Sequence, residues 1–297
     1  MHFLESEFPQ SAEEDAFFHI IPVPLEATVS CGQGTAKGPE AILKASLELE
    51  VWDGQGIPGE AGFHTTPPVV CGAGRGEYSL AIRQAAARAL SFSPAKNPAK
   101  RGACPVVLGG EHSLTLYVMQ ALAARYAPES IGIVHFDAHA DLRNELGGNP
   151  YSHGSVMRRI HEELGIPILQ LGVRALSPEE IRYREEQGIA HIDAHILAAQ
   201  NIQEAPIPSD FPPLVFISFD LDALDPSIMP ATGTPVPGGL GWYQTLALVE
   251  SVTRRRAVVG MDMVELAPIA GFEAPSFLAA DLLHKMMGFV LRNCSAL

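Results

Sequence analysis

The segment IGIVHFDAHADLR, residues 131–143, combines the pattern of a buried strand with an unusual set of polar side chains. Its first half is a short apolar run rich in β-branched residues, which is typical of a strand covered on both faces. Its second half places Asp137, His139 and Asp141 at alternate positions. Alternate side chains of an extended chain point to the same side. If the chain stays nearly extended beyond the strand, these three side chains converge at its carboxyl end.

Two further segments end in the same way. In CPVVLGGEHS an apolar run leads into Glu111 and His112, and in PLVFISFDLDALDPS it leads into Asp220 and Asp222. Carboxylates at the end of a buried strand are costly unless they are paired or bound to metal, and the three segments contain one basic residue, Arg143. A thiol-free set of carboxylates and imidazoles suits manganese, magnesium or iron better than structural zinc. We therefore predict a dinuclear metal site that activates water for hydrolysis, of a substrate that the motifs alone do not name.

Strand-like apolar runs alternate with helix-like segments along the chain. The strands are predicted at residues 17–24, 67–72, 104–110, 131–137, 167–173, 213–220 and 257–266. Such alternation favours a parallel sheet covered by helices on both faces, with ligands at the carboxyl ends of the strands. The predicted fold is an α/β protein, a three-layer α/β/α sandwich with a central, mostly parallel sheet. Residues 91–105, with three prolines and a basic cluster, are predicted to form a surface loop.

The composition narrows the choice of partners and compartment. The chain of 297 residues has a formal net charge of −14. Such a charge repels phosphate backbones and anionic lipids, so nucleic acid and membranes are disfavoured as partners. The chain has no apolar run long enough to span a membrane, and its acidic N-terminal segment does not resemble a signal peptide. Scattered cysteines are typical of reduced residues in a cytoplasmic protein; here they are Cys31, Cys71, Cys104 and Cys294.

Taken together, the motifs resemble those of the ureohydrolase family, which contains the arginases and agmatinases. The similarity lies in GGEHS (109–113), DAHADLR (137–143), SFDLDALDPS (218–227), PATGTPVPGGL (230–240) and MDMVELAP (261–268), and in an N-terminal segment at 26–46. Because these segments cover nearly the whole chain, the resemblance implies one ureohydrolase domain over residues 1–297 with an arginase-like fold. It also implies a hydrolase acting on linear amidines, which splits a small cationic guanidino compound into urea and an amine.

The resemblance implies two Mn²⁺ ions per subunit. The six implied ligands are His112, Asp137, His139, Asp141, Asp220 and Asp222. One ion would take His112, Asp137, Asp141 and Asp220, and the other would take Asp137, His139, Asp220 and Asp222. Three residues are implied to act in catalysis: Asp141 would accept a hydrogen bond from the attacking water, His153 would transfer protons to the leaving amine, and Glu265 would hold the guanidinium.

The substrate depends on the loop NELGGNPYS, residues 144–152. This loop lacks the polar cluster with which arginases hold the amino-acid end of their substrate, and so it resembles the loop of agmatinases. Val236 departs from that pattern, because many agmatinases have a glutamate at this place. The resemblance implies hydrolysis of agmatine to urea and putrescine, a step of polyamine biosynthesis, with aminopropyl-agmatine, guanidinobutyrate and arginine as alternatives. It also implies a homo-oligomer, a trimer or a hexamer.

Other acids and histidines have simpler interpretations. His135, within the apolar run, is interpreted as a core histidine with satisfied ring nitrogens rather than as a ligand. His191 and His195 mark a joint between a strand and a helix, and Asp225 fixes a turn. Glu111 is interpreted as a support for the site that lies behind the ligands.

Two other functions stay open on the sequence. A phosphoesterase also uses dinuclear sites, but it usually holds phosphate with Arg or Lys, whereas these motifs offer acids. A catalytically silent, metal-stabilised assembly subunit is the second alternative. The loss of a ligand, of His153 or of Glu265 would indicate such a subunit, and none of them is lost.

Overall fold

The computed structural model describes residues 1–94 and 102–293. Its strands are β1 (Phe18–Val23), β2 (Phe63–Thr65), β3 (Cys104–Gly109), β4 (Ile131–Phe136), β5 (Ile168–Leu171), β6 (Ala190–Ile192), β7 (Leu214–Asp220) and β8 (Ala257–Val264). Its α-helices are α1 (Gly38–Ser46), α2 (Arg75–Leu90), α3 (Thr115–Arg125), α4 (Val156–Leu164), α5 (Pro178–Gln187), α6 (Ala194–Ala199), α7 (Trp242–Arg255) and α8 (Ala274–Asn293). None of these helices has both the length and the apolar composition needed to cross a membrane. Residues 95–101 of the predicted surface loop, and Cys294, lie outside the described residues.

The eight strands of the described residues form a single sheet. Their order is β2-β1-β3-β8-β7-β4-β5-β6, and every neighbouring pair is parallel. The prediction of a mostly parallel sheet is therefore confirmed. The last strand, β8, lies in the middle of the sheet between β3 and β7, which brings together segments that are far apart along the chain.

Alternate residues of a strand pack into two separate hydrophobic cores, one on each face of the sheet. On β1, for example, Ile20 packs into the core that contains residues of α1, α7 and α8, whereas Ile21 packs into the core that contains residues of α2, α3 and α4. Val106 and Val107 of β3 divide in the same way. The chain thus forms the predicted three layers of helix, sheet and helix.

The prediction of a strand at residues 67–72 is wrong. The second strand is Phe63–Thr65 instead, and residues 66–72 form neither strand nor helix. Two prolines, Pro67 and Pro68, remove backbone donors that a central strand needs, and Val70 is 85% exposed. The joint predicted around residues 191–195 is confirmed, since β6 ends at Ile192 and α6 begins at Ala194.

Candidate metal centre and active site

Four neighbouring strands, β3, β8, β7 and β4, bring the candidate residues to one edge of the sheet. His112 lies three residues after the end of β3, Asp137 directly follows β4, Asp220 is the last residue of β7, and Glu265 directly follows β8. Because parallel strands all end at the same edge, these side chains meet there. A cavity of about 480 Å³ opens at this edge, and the candidate residues that line it are His112, His139, Asp141, His153, Asp220, Asp222 and Glu265.

The ring of His112 is oriented by hydrogen bonds at one nitrogen, so that the other nitrogen faces the cavity residues. Its Nε2 lies 2.8 Å from Ser218 Oγ, and Ser218 Oγ donates to Asp262 Oδ1 at 2.9 Å. Because the single hydroxyl proton of Ser218 goes to Asp262, Ser218 must accept from His112, and Nε2 carries the ring proton. His112 Nδ1 is thus the nitrogen that remains for a cation. Although burial opposes it, hydrogen bonds to Asp137, Asp141 and Asp220 raise the pKa of His112 well above its usual value, so that a proton occupies Nδ1 when no metal is bound. Loss of that proton gives the form of histidine that binds a metal.

Three carboxylates surround His112 Nδ1. His112 Nδ1 lies 3.2 Å from Asp137 Oδ2, 3.2 Å from Asp141 Oδ2 and 3.4 Å from Asp220 Oδ2. All four side chains are almost completely buried. Three buried carboxylates this close together repel one another unless a cation, either a proton on Nδ1 or a metal ion, lies among them. The donor set and its geometry therefore fit a divalent metal ion.

A second cluster lies beside the first and shares one carboxylate with it. His139 Nδ1 is 3.0 Å from Asp222 Oδ2 and 3.5 Å from Asp137 Oδ1. The potential ligand atoms of Asp137, His139 and Asp222 lie within 4.8 Å of one another. Although burial opposes it, hydrogen bonds to Asp137 and Asp222 raise the pKa of His139 to about 12. The second cluster thus also stabilises positive charge strongly.

One residue outside the implied ligand set, His135, lies close to the first cluster. Ligand atoms of His112, His135, Asp137 and Asp141 lie within 4.8 Å of one another. Asp220 is at the same place, with its Oδ2 3.4 Å from His112 Nδ1. His135 is buried and both its ring nitrogens are hydrogen-bonded, one to Asp137 and one to Gln170. The interpretation of His135 as a satisfied core histidine is therefore confirmed.

Two site residues have a strained backbone. Asp141 has a φ of 54° and Glu265 has a φ of 65°, which is the left-handed region that residues other than glycine rarely adopt. The chain therefore does not stay extended through Asp141, contrary to the expectation from alternation. It turns at Asp141 and still delivers that carboxylate to His112. Strained residues of this kind are found where function requires a fixed orientation.

Burial and crowding of like charges dominate the electrostatics of the cluster. Burial, with Asp222 and Asp137 nearby, raises the pKa of Asp220 well above its usual range. Burial likewise raises the pKa of Glu265 to about 8, although its bond to His112 opposes the shift. Glu265 Oε1 accepts from the backbone N of His112 at 2.7 Å. A planar cation beside Glu265 would favour its ionised form, so the cavity is suited to a guanidinium.

His153 lines the cavity from a short 3-10 turn, His153–Ser155, rather than from a strand end. Thr28 Oγ1 donates to Glu111 Oε1 at 2.7 Å and accepts from His153 N at 3.0 Å. Thr28 Oγ1 is also 3.4 Å from His153 Nδ1. Because the hydroxyl proton of Thr28 is donated to Glu111, Thr28 Oγ1 can only accept a hydrogen bond from His153 Nδ1. The ring proton of His153 is thereby placed on Nδ1. His153 Nε2, 3.2 Å from Ser30 Oγ, is left free to accept a proton.

Glu111 anchors the N-terminal loop that contacts His153. Its carboxylate accepts from the backbone N of Ala27 and Thr28 as well as from two hydroxyl groups. Gly110 permits the close approach of this loop, because a Cβ at that position would lie 1.9 Å from the carbonyl oxygen of Leu25. Glu111 thus supports the site from behind, as its position beside His112 suggested.

Sequence reasoning missed several residues of the site. Arg174, after β5, lines the cavity and donates to the carbonyl oxygens of Val236 and Asp222. Asp262 could have been identified from the sequence, because it is an acid within the apolar strand β8 and a buried carboxylate needs partners. Asp225 holds its turn as predicted, accepting from the backbone N of Ser227, Gly238 and Gly239.

Comparisons with known proteins show the family to which the chain belongs. The arginase family model matches residues 16–288. The N(1)-aminopropylagmatine ureohydrolase of Thermus thermophilus is 40% identical over 278 residues, which cover 93% of this chain and 90% of that protein. The agmatinase of Pyrococcus horikoshii is 31% identical over 288 residues, covering 97% of each chain. The solved agmatine ureohydrolase of Thermoplasma volcanium superposes with a TM-score of 0.81 at 25% identity, over 98% of this chain and 94% of that chain. The chain belongs to the arginase family.

Proposed function

We propose that this protein hydrolyses the guanidino group of a small linear amine and releases urea, using two Mn²⁺ ions. The observation that carries the proposal is the cluster of three buried carboxylates around His112 Nδ1, next to a second cluster that shares Asp137. Glu265 lines the same cavity and is not among the implied ligands, and its carboxylate matches a guanidinium rather than a phosphate. A catalytically silent subunit would not need Glu265 and His153 at the same cavity.

The proposed roles follow the geometry. One metal position would be held by His112, Asp137, Asp141 and Asp220, and the other by Asp137, His139, Asp220 and Asp222. When bound, the ions would activate a water molecule and stabilise negative charge. Glu265 would then pair with two guanidinium N–H groups and fix the substrate. Asp141 would accept a hydrogen bond from the attacking water, and His153 would move the proton to the leaving amine through its free Nε2.

The substrate proposal combines the motifs with the relatives. Agmatine, which would give putrescine, is the substrate that the loop at 144–152 favours. Relatives named for N(1)-aminopropylagmatine are 40% and 36% identical to this chain, against 31% for the agmatinase of Pyrococcus horikoshii. The cavity of about 480 Å³ has room for the longer molecule, since pockets of ~300–1,000 Å³ hold drug-sized ligands. We therefore propose N(1)-aminopropylagmatine as the better substrate and agmatine as the next.

A guanidino acid such as guanidinobutyrate is a second candidate because of Arg143. Its side chain lines the cavity, is 40% exposed, and lies 3.7 Å from Glu180. A guanidinium at this place can bind a carboxylate at the far end of a substrate. In that case Arg143→Gln would lose activity on guanidinobutyrate and keep activity on agmatine.

The test is urea release by the Mn²⁺-loaded protein from N(1)-aminopropylagmatine, agmatine, guanidinobutyrate and arginine, with Asp222→Asn as the inactive control. Preference for either amine, absent in the control, supports the proposal. Preference for guanidinobutyrate favours the second candidate. If the protein bound two metal ions but released no urea from any of these compounds, the proposed reaction would be contradicted and the proposed metal site would still hold.

The contacts of Thr28 give a prediction about catalysis. Thr28→Val removes the hydroxyl group that orients His153, so kcat should fall roughly 2- to 10-fold, the value of one hydrogen bond. Metal content should not change, because the hydrogen bonds of Thr28 are made with Glu111 and His153, and neither is a proposed metal ligand. Thr28→Ser keeps the hydroxyl and should restore kcat. Equal kcat in the valine, serine and wild-type proteins would show that Thr28 does not orient His153.

We further propose that residues 1–297 form a single domain in a cytoplasmic homo-oligomer, a trimer or a hexamer. Its molar mass from light scattering, against 31.8 kDa for one chain, tests the assembly. A monomer at micromolar concentration would contradict it.

A further inference from the structure

We infer that His135, Gln170 and Arg184 are positioning residues for Asp137 and that His135 is not a metal ligand. The inference rests on the proposed dinuclear site, in which both ions share Asp137. It goes beyond that site because the three residues form a buried chain of hydrogen bonds on the far side of Asp137, away from the cavity. None of them lines the cavity.

The chain of contacts is continuous from the site to α5. His135 Nε2 lies 2.8 Å from Asp137 Oδ2, and Gln170 Nε2 lies 3.1 Å from His135 Nδ1. Arg184 then contacts Gln170 Oε1 through Nε at 3.1 Å and Nη2 at 3.0 Å. Its Nη1 lies 2.8 Å from Asp193 Oδ1. His135 and Gln170 lie opposite each other in the register of β4 and β5 and are fully buried, and Arg184 is 5% exposed.

Arg184 fixes the direction of every bond in this chain. A guanidinium only donates, so the atom of Gln170 that faces it must be the carbonyl oxygen. The Gln170 amide nitrogen therefore faces His135 and the carbonyl oxygen of Ala140, which is 2.7 Å away. An amide nitrogen only donates, so His135 Nδ1 must accept. The ring proton of His135 thus lies on Nε2 and points at Asp137.

This direction excludes His135 as a ligand. A metal needs an unprotonated ring nitrogen, and the one such nitrogen of His135 is already occupied by Gln170. His135 instead donates to Asp137 Oδ2, while the backbone N of His139 donates to Asp137 Oδ1 at 2.6 Å. Each oxygen of Asp137 is therefore held by one donor, and its other lone pairs remain available. Donors of this kind orient a carboxylate for metal binding.

Metal affinity tests the inference on the full-length protein. His135→Asn should keep two Mn²⁺ ions per chain but bind them about 10- to 100-fold more weakly, as is usual when such a supporting group is lost. The matched control is His284→Asn, because His284 is 1% exposed, has an unpaired Nε2, and lies in α8 away from these contacts. Competition with a chelator gives the affinity, and elemental analysis gives the number of ions. The control should bind Mn²⁺ with wild-type affinity.

Each other outcome has a definite meaning. Wild-type affinity in His135→Asn would overturn the positioning role, and one ion lost from two would overturn the assignment of His135 as a non-ligand. If the wild-type protein bound no pair of ions, the proposed function would fail and the inference would lose its basis. These results are distinguishable because the wild-type protein is measured first.

Two further measurements do not require His135 to be replaced. Gln170→Met keeps the side-chain volume and leaves His135 without its fixed donor, so Mn²⁺ affinity should fall in the same direction. Nitrogen-15 spectra of histidine-labelled, metal-free protein should place the proton of His135 on Nε2. A proton on Nδ1 would overturn the inference.

Discussion

Replacing Asp220 by asparagine should abolish Mn²⁺-dependent stabilisation and urea release, and yet make the metal-free protein more stable. Without metal, burial beside Asp222 and Asp137 raises the pKa of Asp220 well above its usual range. The folded metal-free protein must therefore take up a proton or hold like charges together, and both lower its free energy of unfolding at neutral pH. Asparagine removes that penalty, but it also removes a charged ligand.

Urea-induced unfolding with and without Mn²⁺ measures both effects. A metal at 100 times its Kd adds about 2.7 kcal/mol to the free energy of unfolding, which we expect for the wild type and not for Asp220→Asn. Asp225→Asn is the control: Asp225 accepts three backbone N–H groups outside the cluster, so its loss should lower stability equally in both conditions. An Asp220→Asn protein that is destabilised without metal, or still stabilised by it, would contradict the proposed role.

The second large effect is expected for Glu265→Gln. The glutamine oxygen can still accept from the backbone N of His112, so the local fold and metal content should persist. The ion pair with the guanidinium would be lost, and removing one partner of a desolvated charge pair costs about 2–5 kcal/mol. This corresponds to a decrease of roughly 30- to 4,000-fold in kcat/KM.

Glu129→Gln is the matched control for Glu265→Gln. Glu129 lies just before β4, at the edge of the sheet opposite to the site, and is exposed, so this change removes the same charge from a residue that does not line the cavity. Its kcat/KM should stay close to that of the wild type. A Glu265→Gln protein with wild-type kcat/KM would show that the guanidinium is held elsewhere, and one that lost its metals would show that Glu265 acts on the ligands instead.

The sequence predicted the layers and the edge of the sheet where chemistry occurs because both follow from local rules. Apolar runs mark buried strands, and acids that directly follow them, such as Asp137 and Asp220, must lie at the strand ends. The predicted strand at 67–72 was wrong because the prediction relied on the apolar, β-branched composition of this segment and gave too little weight to its two prolines. The turn at Asp141 was also not predictable, since alternation assumes an extended chain.

What the sequence could not show is how distant polar residues meet. The direction of the proton on His112 depends on Ser218 and Asp262, which come from two different strands. The contact between Thr28 and His153 joins residues 125 positions apart. Such pairs depend on the order of strands in the sheet, which hydrophobic patterns do not encode.

The central place of β8 has a consequence for the synthesis of the protein. β8 lies between β3 and β7, so on a ribosome both of these strands emerge before the strand that separates them, and β3 does so long before. Until β8 has left the exit tunnel, both expose unpaired backbone edges, which are sites of aggregation. The nascent chain also lacks Asp262, which orients His112, and Glu265. The metal-binding cluster can therefore be completed only after β8 has been synthesised, and loading with metal is expected to follow that step rather than to guide the early folding of the chain.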